Sequence, residues 1–434
     1  MNRKTLLKYL VITILAFFFK NTLPYDNSHF YRARFFPGEP RFEKPYLSSL
    51  DVSFAKGSTC EAIDGCGNET CLLNIYGCDC MQFLGKNIPC KDLNKDTDLI
   101  LHQLAQLPAN ENFARLSFKG EFDTWEAVFS YYQNFAKGIF LHIHLPVRKL
   151  EIHSISYCSP SEKENPDCDC ENINDCMTFA NENSSWNAFL NSFGEILRSY
   201  NLCMKKFSSK GIGDTSIAFG WTKNYEDTEY VDYIDATVRV GVTIPTGKCK
   251  DENEIFSLPL GYNGHVGIFG AIDFSLGLYD WLTFGAHLDI LGFTKKRKCL
   301  RVKTAFEQCG FIKLAKEMAE VRKGPIYNAG VFGKADHVAG GFSLLIGYSY
   351  TRKEHDCLEF CRETCIDCAI AGTDEMLQEW AMHTIHFFGE YDFTEEGWKV
   401  GPRISAFYNL VAGGKRIFKT GMGGAGVGFE ITWK

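Results

Sequence analysis

Apolar residues alternate with polar or small residues over long stretches of this 434-residue chain. Val238, Val240 and Val242, for example, fall at every second position of one such stretch. Successive side chains of a β-strand point to opposite faces, so this period predicts strands with one apolar and one polar face. The same alternation occurs at 139–145, 237–244, 268–278, 282–290, 342–350 and 400–410.

The length of these segments separates two kinds of β-protein. A soluble sandwich typically uses strands of about five or six residues with mutually buried apolar faces. The strands predicted around these segments run about nine to fourteen residues, which suits a tilted strand that crosses the hydrocarbon layer of a bilayer. The chain also holds 36 Phe, 19 Tyr, 7 Trp and 39 Gly, a composition typical of lipid-facing strands. These features favour a membrane-spanning barrel.

The connections between the predicted strands are alternately short and long. Short turns are predicted near 134–137, 225–229, 279–281, 334–337 and 394–397. Long connections are predicted at 57–112, 148–210, 245–263, 294–323 and 352–378, with a shorter one near 411–421. In a membrane barrel all turns lie on one side and all long loops on the other. The sequence therefore predicts an all-β fold, a transmembrane antiparallel β-barrel of about 12 strands with long, cysteine-rich, partly helical loops on one face.

The first residues of the chain have the pattern of an export signal. Arg3, Lys4 and Lys8 precede an apolar stretch that has the length of a secretory h-region and is too short to span a bilayer. We predict a signal peptide at 1–23, a proline-containing lead-in at 24–45 and the barrel at 46–434. Loss of the signal removes four cations and no acid, which takes the formal net charge from −7 to −11.

The net charge and the absence of long apolar segments limit the partners and the cellular location of the protein. The acidic balance predicts no nucleic-acid partner. No later segment holds eighteen continuous apolar residues, so no transmembrane helix is predicted beyond the signal. An exported chain of this kind is secreted, periplasmic or a barrel, and the alternation favours a barrel in the outer membrane of a Gram-negative cell.

All 18 cysteines fall in the predicted long loops. On an exported chain this number indicates an oxidising compartment and predicts disulfides in the loops. The four cysteines of 357–368 could also form a zinc site of four thiolates. Their spacing lacks paired C-x2-C units, so disulfides are favoured and no metal is predicted. The disulfide candidates are Cys60, Cys66, Cys71, Cys78, Cys80, Cys90, Cys158, Cys168, Cys170, Cys176, Cys357, Cys361, Cys365 and Cys368.

The long loops are predicted to contain helices. Apolar residues recur at helical spacing from Trp186 to Tyr200, and Ser184 or Ser185 is placed as the N-cap. We interpret this stripe as local packing rather than a partner surface. The segments 99–107 and 305–321 have the same character and predict two further helices.

The predicted inward faces carry charged and polar residues, which at membrane depth must face water or one another. Two interpretations remain open: a lumen plugged by a salt-bridged network, and a polar path or ligand-orienting ring. The lumen-facing candidates are His142, His144, Arg239, Asp273, His287, Asp289, Arg403 and Glu430. No nucleophile–base pair stands out by spacing, so no residue is predicted to be catalytic and the chain is not predicted to be an enzyme.

The segment 421–426 matches the dinucleotide fingerprint G-x-G-x-x-G. That site needs a following helix and an acidic residue about twenty positions on. Eight residues follow here and they alternate as a strand, so no cofactor is predicted.

The last segment alternates in the same way and ends on an aromatic residue. Its apolar face consists of Val427, Phe429, Ile431 and Trp433. It resembles the terminal strand by which outer-membrane barrels are recognised by their insertion machinery, although Lys434 makes the aromatic residue penultimate. The predicted partners are therefore the lipid bilayer and the barrel-insertion machinery.

Three further segments resemble the meta-pathway phenol-degradation type of outer-membrane protein, a relative of long-chain fatty-acid channels. Residues 128–147 are similar to its aromatic strand, tight turn and strand ending in Leu-Pro. Residues 211–219 are similar to its Gly-x-Gly-Asp strand opening, and 236–247 to its strand closing in Ile-Pro-Thr-Gly. The resemblance implies passage of small apolar or aromatic molecules. The large cysteine loops have no counterpart in that family and resemble envelope proteins whose disulfides stiffen the cell wall.

Two functions of different classes are therefore predicted. The first is a passive, porin-like channel for small solutes, including apolar ones. The second is a structural envelope protein whose disulfide-linked outer loops stiffen the cell surface or join neighbouring envelope proteins.

Overall fold

The computed structural model describes residues 47–88, 96–106, 115–158, 184–226, 231–279, 281–393 and 399–432. The predicted signal peptide at 1–23 and the lead-in at 24–45 lie outside these residues.

Twelve long antiparallel strands form one closed sheet, because the last strand pairs with the first. They are β1 (Leu47–Thr59), β2 (Arg115–Asn134), β3 (Ile139–Cys158), β4 (Thr215–Glu226), β5 (Tyr233–Ile244), β6 (Gly267–Leu278), β7 (Leu282–Phe293), β8 (Ile326–Ala339), β9 (Phe342–Lys353), β10 (Trp380–Asp392), β11 (Val400–Lys415) and β12 (Met422–Thr432). Each pairs with its neighbours in the chain, and β1 closes the barrel by pairing with β12 along ten positions, from Leu47 opposite Thr432 to Lys56 opposite Gly423. The predicted twelve-stranded barrel is confirmed.

The two faces of each barrel strand differ in chemistry. On β5, Val240 is 62% exposed whereas its neighbour Arg239 is 5% exposed. In a closed sheet alternate side chains point outward and inward, so the exposed apolar rows lie on the outer surface. Similar rows on the other strands include Ile268, Leu288, Ile346, Ile404 and Phe429. An exposed apolar surface this extensive is stable in lipid and not in water.

Aromatic side chains are frequent near both ends of the barrel wall. Trp221, Tyr279 and Trp281 are exposed close to the short turns. Phe54 and Trp125 are exposed towards the loop end, where their ring centroids lie 6.2 Å apart. Such rings favour the membrane–water interface, so their two levels mark the edges of the membrane layer.

Short turns and long connections alternate around the barrel, as predicted, but one turn lies elsewhere than expected. The turn predicted at 334–337 is formed by Gly340 and Gly341, and β8 continues to Ala339 through an irregular register. Both glycines have positive φ, 58° and 95°, a conformation that costs glycine little. A Cβ atom at Gly341 would overlap the Asp392 carbonyl oxygen, which explains why this turn position is a glycine.

β3 is longer than predicted and pairs with β2 as far as Cys158 opposite Ser117. The loop predicted to begin at residue 148 begins after Cys158. At that predicted boundary Arg148 Nε donates to Glu126 Oε2 at 2.9 Å, and both side chains are buried. The pair neutralises charge within the sheet, so the strand continues. Cys158 therefore ends a barrel strand, and the expectation that no strand carries a cysteine is wrong.

Two of the three helices predicted in the loops are present. The helices are α1 (Asp96–Ala105), α2 (Ser184–Ser199) and the single turn α3 (Cys368–Gly372). Trp186, Phe189 and Phe193 of α2 are buried, which confirms that its apolar stripe serves local packing. At the end of α2, Arg301 Nη2 donates to the Tyr200 carbonyl at 2.7 Å, a favourable place for a cation. Within the described ranges, no helix has both the length and the apolar character to cross a membrane.

The prediction of a helix at 305–321 is wrong. Gly310 adopts a positive φ of 78° and turns the chain. The following Lys316–Arg322 is a strand that pairs with Lys296–Arg301 on one side and with Cys357–Phe360 on the other. Pairing with two distant segments overrides the local helical spacing.

The long connections fold together into a cap over the loop end of the barrel. We define the cap as the described residues of 60–106, 184–206, 245–262 and 302–315, packed around the outer ends of β2 and β3. Its apolar core is the largest in the described chain and includes Leu72, Leu101, Phe118, Ile152, Phe189, Ile196, Phe256 and Ile312. Burial of one such side chain contributes about 1.5–3 kcal/mol, so the cap has a core like that of a soluble domain.

Candidate functional site

The inward face of the barrel carries a polar network in its middle section. Arg239 Nη2 donates to Asp273 Oδ1 at 3.1 Å, and Asp273 lies directly opposite His287 on the next strand. Asn328 Nδ2 donates to Asp289 Oδ2 at 3.0 Å and lies 2.9 Å from His287 Nε2. We call these five residues the middle network. It brings four of the predicted lumen candidates together across β5, β6, β7 and β8.

A second group, the closing network, lies where the first and last strands meet. Arg403 Nη2 donates to Asp51 Oδ1 at 2.7 Å, and its Nη1 donates to Glu430 Oε1 at 2.8 Å. Glu390 Oε2 lies 3.9 Å from Arg403 Nε. Gly428 stands between Asp51 and Arg403 in the strand register. A Cβ atom there would overlap both partners, so glycine is what allows this charged pair to reach across β12.

The two remaining candidates lie on β3. His142 is 7% exposed, and its Nε2 lies 2.7 Å from Ser130 Oγ on β2. His144 lies opposite Ser130 on one side and Ser216 on the other. These positions form a third polar group on the wall.

Sequence reasoning missed several partners of these groups. Asp51 lies between the apolar residues Leu50 and Val52, so the alternation of this strand indicated that Asp51 belongs to its polar face. His386 was not flagged, although its Nδ1 lies 2.8 Å from Asn409 Oδ1 and its Nε2 lies 2.9 Å from Ser349 Oγ. Which strands lie side by side was predictable from the chain order, but which side chains lie level depends on the register.

The cap is joined internally by a buried carboxylate. Asp79, 1% exposed, accepts hydrogen bonds from the Phe311 and Ile312 amides at 3.1 and 2.7 Å. These bonds connect the first long connection to the fourth. Burial raises the pKa of Asp79 to about 7, while the two amides oppose that shift. Close by, Lys313 Nζ donates to Asp374 Oδ1 at 3.0 Å, and this bond joins the fourth long connection to the fifth.

The cysteines of the cap lie near this junction. Cys309 Sγ donates to the Cys78 carbonyl at 2.6 Å. Burial, with Cys309 close by, raises the pKa of the Cys80 thiol to about 11. Cys309 was not among the predicted disulfide candidates, yet it hydrogen-bonds to Cys78 and interacts with Cys80. Loop-to-loop packing brings it there and is not visible in the spacing of the cysteines.

The predicted disulfides stay a prediction. Among the cysteines whose side chains the structure describes, none is joined to another by a disulfide. Cys90, Cys168, Cys170 and Cys176 lie outside the described residues. Cys357 lies on a short strand, Cys361 and Cys365 follow it, and Cys368 begins α3. The described residues hold no group of three or more metal-binding side chains.

The last strand has the predicted alternation. Val427 and Phe429 are each 44% exposed on the outer face, and Ile431 follows them with partial exposure. Trp433 lies outside the described residues. The segment 421–426, which matches a dinucleotide fingerprint, leads into this strand and not into a helix.

No family model matches this chain, and no curated protein matches it. Solved outer-membrane proteins are similar to it in structure. An outer membrane channel from Pseudomonas putida F1 is 10% identical, with 92% of this chain and 99% of that chain covered and a TM-score of 0.43. A FadL homologue from Pseudomonas aeruginosa is 9% identical, with 89% of each chain covered and a TM-score of 0.27. The toluene transporter TodX from Pseudomonas putida is 11% identical, with the same coverage and TM-score. Likenesses at this level assign neither family nor activity.

Proposed function

We propose that this protein is a passive channel for small solutes in the outer membrane of a Gram-negative cell. The observation that carries the proposal is the contrast between the two faces of the closed sheet. The outer face is apolar and exposed, while the inner face holds Arg239, Asp273 and Arg403 in ion pairs. Charges inside a membrane barrel are stable where they face water or one another.

The solutes we propose are small and include apolar aromatic ones, on the resemblance of the segments 128–147, 211–219 and 236–247 to a channel family. An export signal at 1–23 and recognition of the last strand by the insertion machinery belong to the same proposal. We propose no catalytic role for any residue. The alternative, a structural envelope protein with cross-linked loops, has no observation in its favour among the described residues.

Conductance of the purified protein in planar bilayers tests the channel. We expect discrete current steps from the wild-type protein. The double variant Arg239→Ala/Asp273→Ala should conduct more, because it shortens two inward side chains of the middle network while leaving no unpaired charge from that pair. Val240→Ala, on the outer face of the same strand, is the matched control and should conduct like the wild type.

Silence of the folded wild-type protein and of the double variant would contradict the proposal. It would instead favour the interpretation in which the polar networks plug the lumen. Heat-dependent mobility in gel electrophoresis shows whether each variant has formed a barrel, so a folding failure is not mistaken for a closed channel.

A further inference from the structure

Two segments of the cap that are far apart in the chain lie side by side. Gly310 donates its amide to the Tyr76 carbonyl at 3.1 Å, and Cys309 Sγ donates to the Cys78 carbonyl at 2.6 Å. The Asp79 carboxylate accepts hydrogen bonds from the two amides that follow Gly310. These contacts on successive residues fix the position of Cys309 against the first long connection.

The thiols of Cys80 and Cys309 act on one another at this junction. Burial and Asp79 raise the pKa of Cys309, and a hydrogen bond from the Cys80 amide to its sulfur opposes them. After burial, Cys309 has the strongest influence on the pKa of the Cys80 thiol, ahead of Arg115. Electrostatic influence falls with distance, so the two sulfur atoms lie close together.

The two thiols differ in exposure, which sets the order in which they can react. Cys80 is 8% exposed and buried in the cap, whereas Cys309 is partly exposed. An oxidant in solution therefore reaches Cys309 first. Cys80 can then complete the reaction from within the cap, because its sulfur lies beside that of Cys309.

We propose that Cys80 and Cys309 form a disulfide that joins the first long connection to the fourth. The Cys309 thiolate attacks one sulfur of a small disulfide oxidant such as oxidised glutathione, and one thiolate leaves. The Cys80 thiolate then attacks Cys309 Sγ in the mixed disulfide, and the second thiolate leaves. Two protein thiols are oxidised, one disulfide of the oxidant is reduced to two thiols, and the departing thiolates take up the two protons.

This disulfide belongs to the cap and has consequences for the cap alone. It closes a segment of chain that contains β2 to β7, and cross-linking so long a segment restricts the unfolded chain strongly. Because both sulfur atoms belong to one chain, the bond leaves neighbouring proteins unlinked. It forms whether or not the barrel conducts, so the proposal stands or falls separately from the channel function.

Peptide mapping of the purified full-length protein, folded in detergent with reduced and oxidised glutathione, tests the pairing. After alkylation of free thiols in denaturant, trypsin and endoproteinase Asp-N release 79–86 and 304–313, each with a single cysteine. We expect these two peptides as one linked species, two hydrogens lighter than the separate thiol peptides, that disappears on reduction. Alkylated Cys80 and Cys309, or a bond from Cys309 to Cys78, would overturn the proposal.

Serine variants provide the second arm. Cys80→Ser, Cys309→Ser and the double variant should all be cut in the cap by limited proteolysis about tenfold faster than the wild type. The three rates should be equal, because loss of either sulfur breaks the same bond. Cys299→Ser, at an exposed cysteine of the strand Lys296–Arg301, is the matched control and should be cut like the wild type.

Heat-dependent mobility shows that each serine variant has formed the barrel. Wild-type rates in folded Cys80→Ser and Cys309→Ser would overturn the proposal. Effects of the two substitutions that add up in the double variant would do the same, since they would show that each thiol acts through its own packing.

Discussion

The barrel wall and the cap shield their apolar side chains from water in opposite ways. In the wall, apolar side chains such as Val240 and Ile268 face outward, and the charged side chains are inside. In the cap, Phe118 and Phe189 are fully buried and the charged side chains are mostly outside. The wall depends on lipid to cover its apolar face, whereas the cap covers its own. The two regions should therefore respond differently to substitution.

The largest effect is expected inside the wall, at Gly428. Gly428→Ala places a Cβ atom into the Asp51–Arg403 pair and separates the buried Arg403 from its half-buried partner, which should cost about 3 kcal/mol of barrel stability. Gly413→Ala is the matched control on β11, since a Cβ there meets no atom within 4 Å. Urea unfolding of the barrel in lipid vesicles measures both. Equal midpoints for the two variants would show that the closing network does not stabilise the barrel.

A smaller effect, confined to the cap, is expected at Asp79. Asp79→Ala leaves the Phe311 and Ile312 amides without their acceptor in a buried site, at a cost of about 2 kcal/mol. Limited proteolysis should cut the cap connections faster, while heat-dependent mobility of the barrel stays as in the wild type. Loss of the barrel in this variant would mean that wall and cap fold as one unit.

Arg301, which lies just before the cap residues 302–315 and donates to the cap, should give a still smaller change. Its guanidinium donates to the carbonyls of Tyr200, Leu314 and Glu252. Arg301→Ala should destabilise the cap by about 1 kcal/mol, since part of this hydrogen bonding is replaced by water. Arg297→Ala on the same short strand is the control, because Arg297 is largely exposed and its ion pair with Glu320 contributes little. Proteolysis rates that match between the two variants would contradict this role for Arg301.

An effect of pH is expected at the boundary between the two regions, and it is small near pH 7 and grows as the pH falls. His265 is buried beside Thr294, and burial lowers its pKa from about 6.5 to about 4. The unfolded chain therefore takes up a proton near pH 6.5 that the folded chain does not accept until about pH 4. Stability should fall as pH drops from about 7 to 4, and His265→Gln should remove part of that slope. An unchanged slope in the variant would assign it to other groups.

The wall was predictable from sequence and the cap was not. The alternation in β5, β6 and β7 depends only on which residues lie two positions apart, so it is visible locally. The cap depends on contacts such as Asp79 with Ile312, which are 233 positions apart. No local pattern encodes that contact. The helix predicted at 305–321 was wrong for the same reason, since helical spacing is a local pattern and distant strand pairing decides the structure there.

The polar candidates show the same division. Arg239, Asp273 and Arg403 could be assigned to the polar face from sequence, because the alternation along a strand decides the face to which each side chain points. Their partners were not predictable, since Arg403 and Asp51 are 352 positions apart and meet only because the barrel closes. Cys309 near Cys78 is a similar case, set by how two loops pack.

Pairing of the first strand with the last has a consequence for the order in which the protein is made. Until Met422–Thr432 has been synthesised, Leu47–Thr59 has no partner on one of its two sides. An unpaired strand edge invites pairing with other chains. The incomplete protein must therefore be kept from aggregating until its final eleven-residue strand arrives, and a chain that stops short of that strand cannot complete the cylinder.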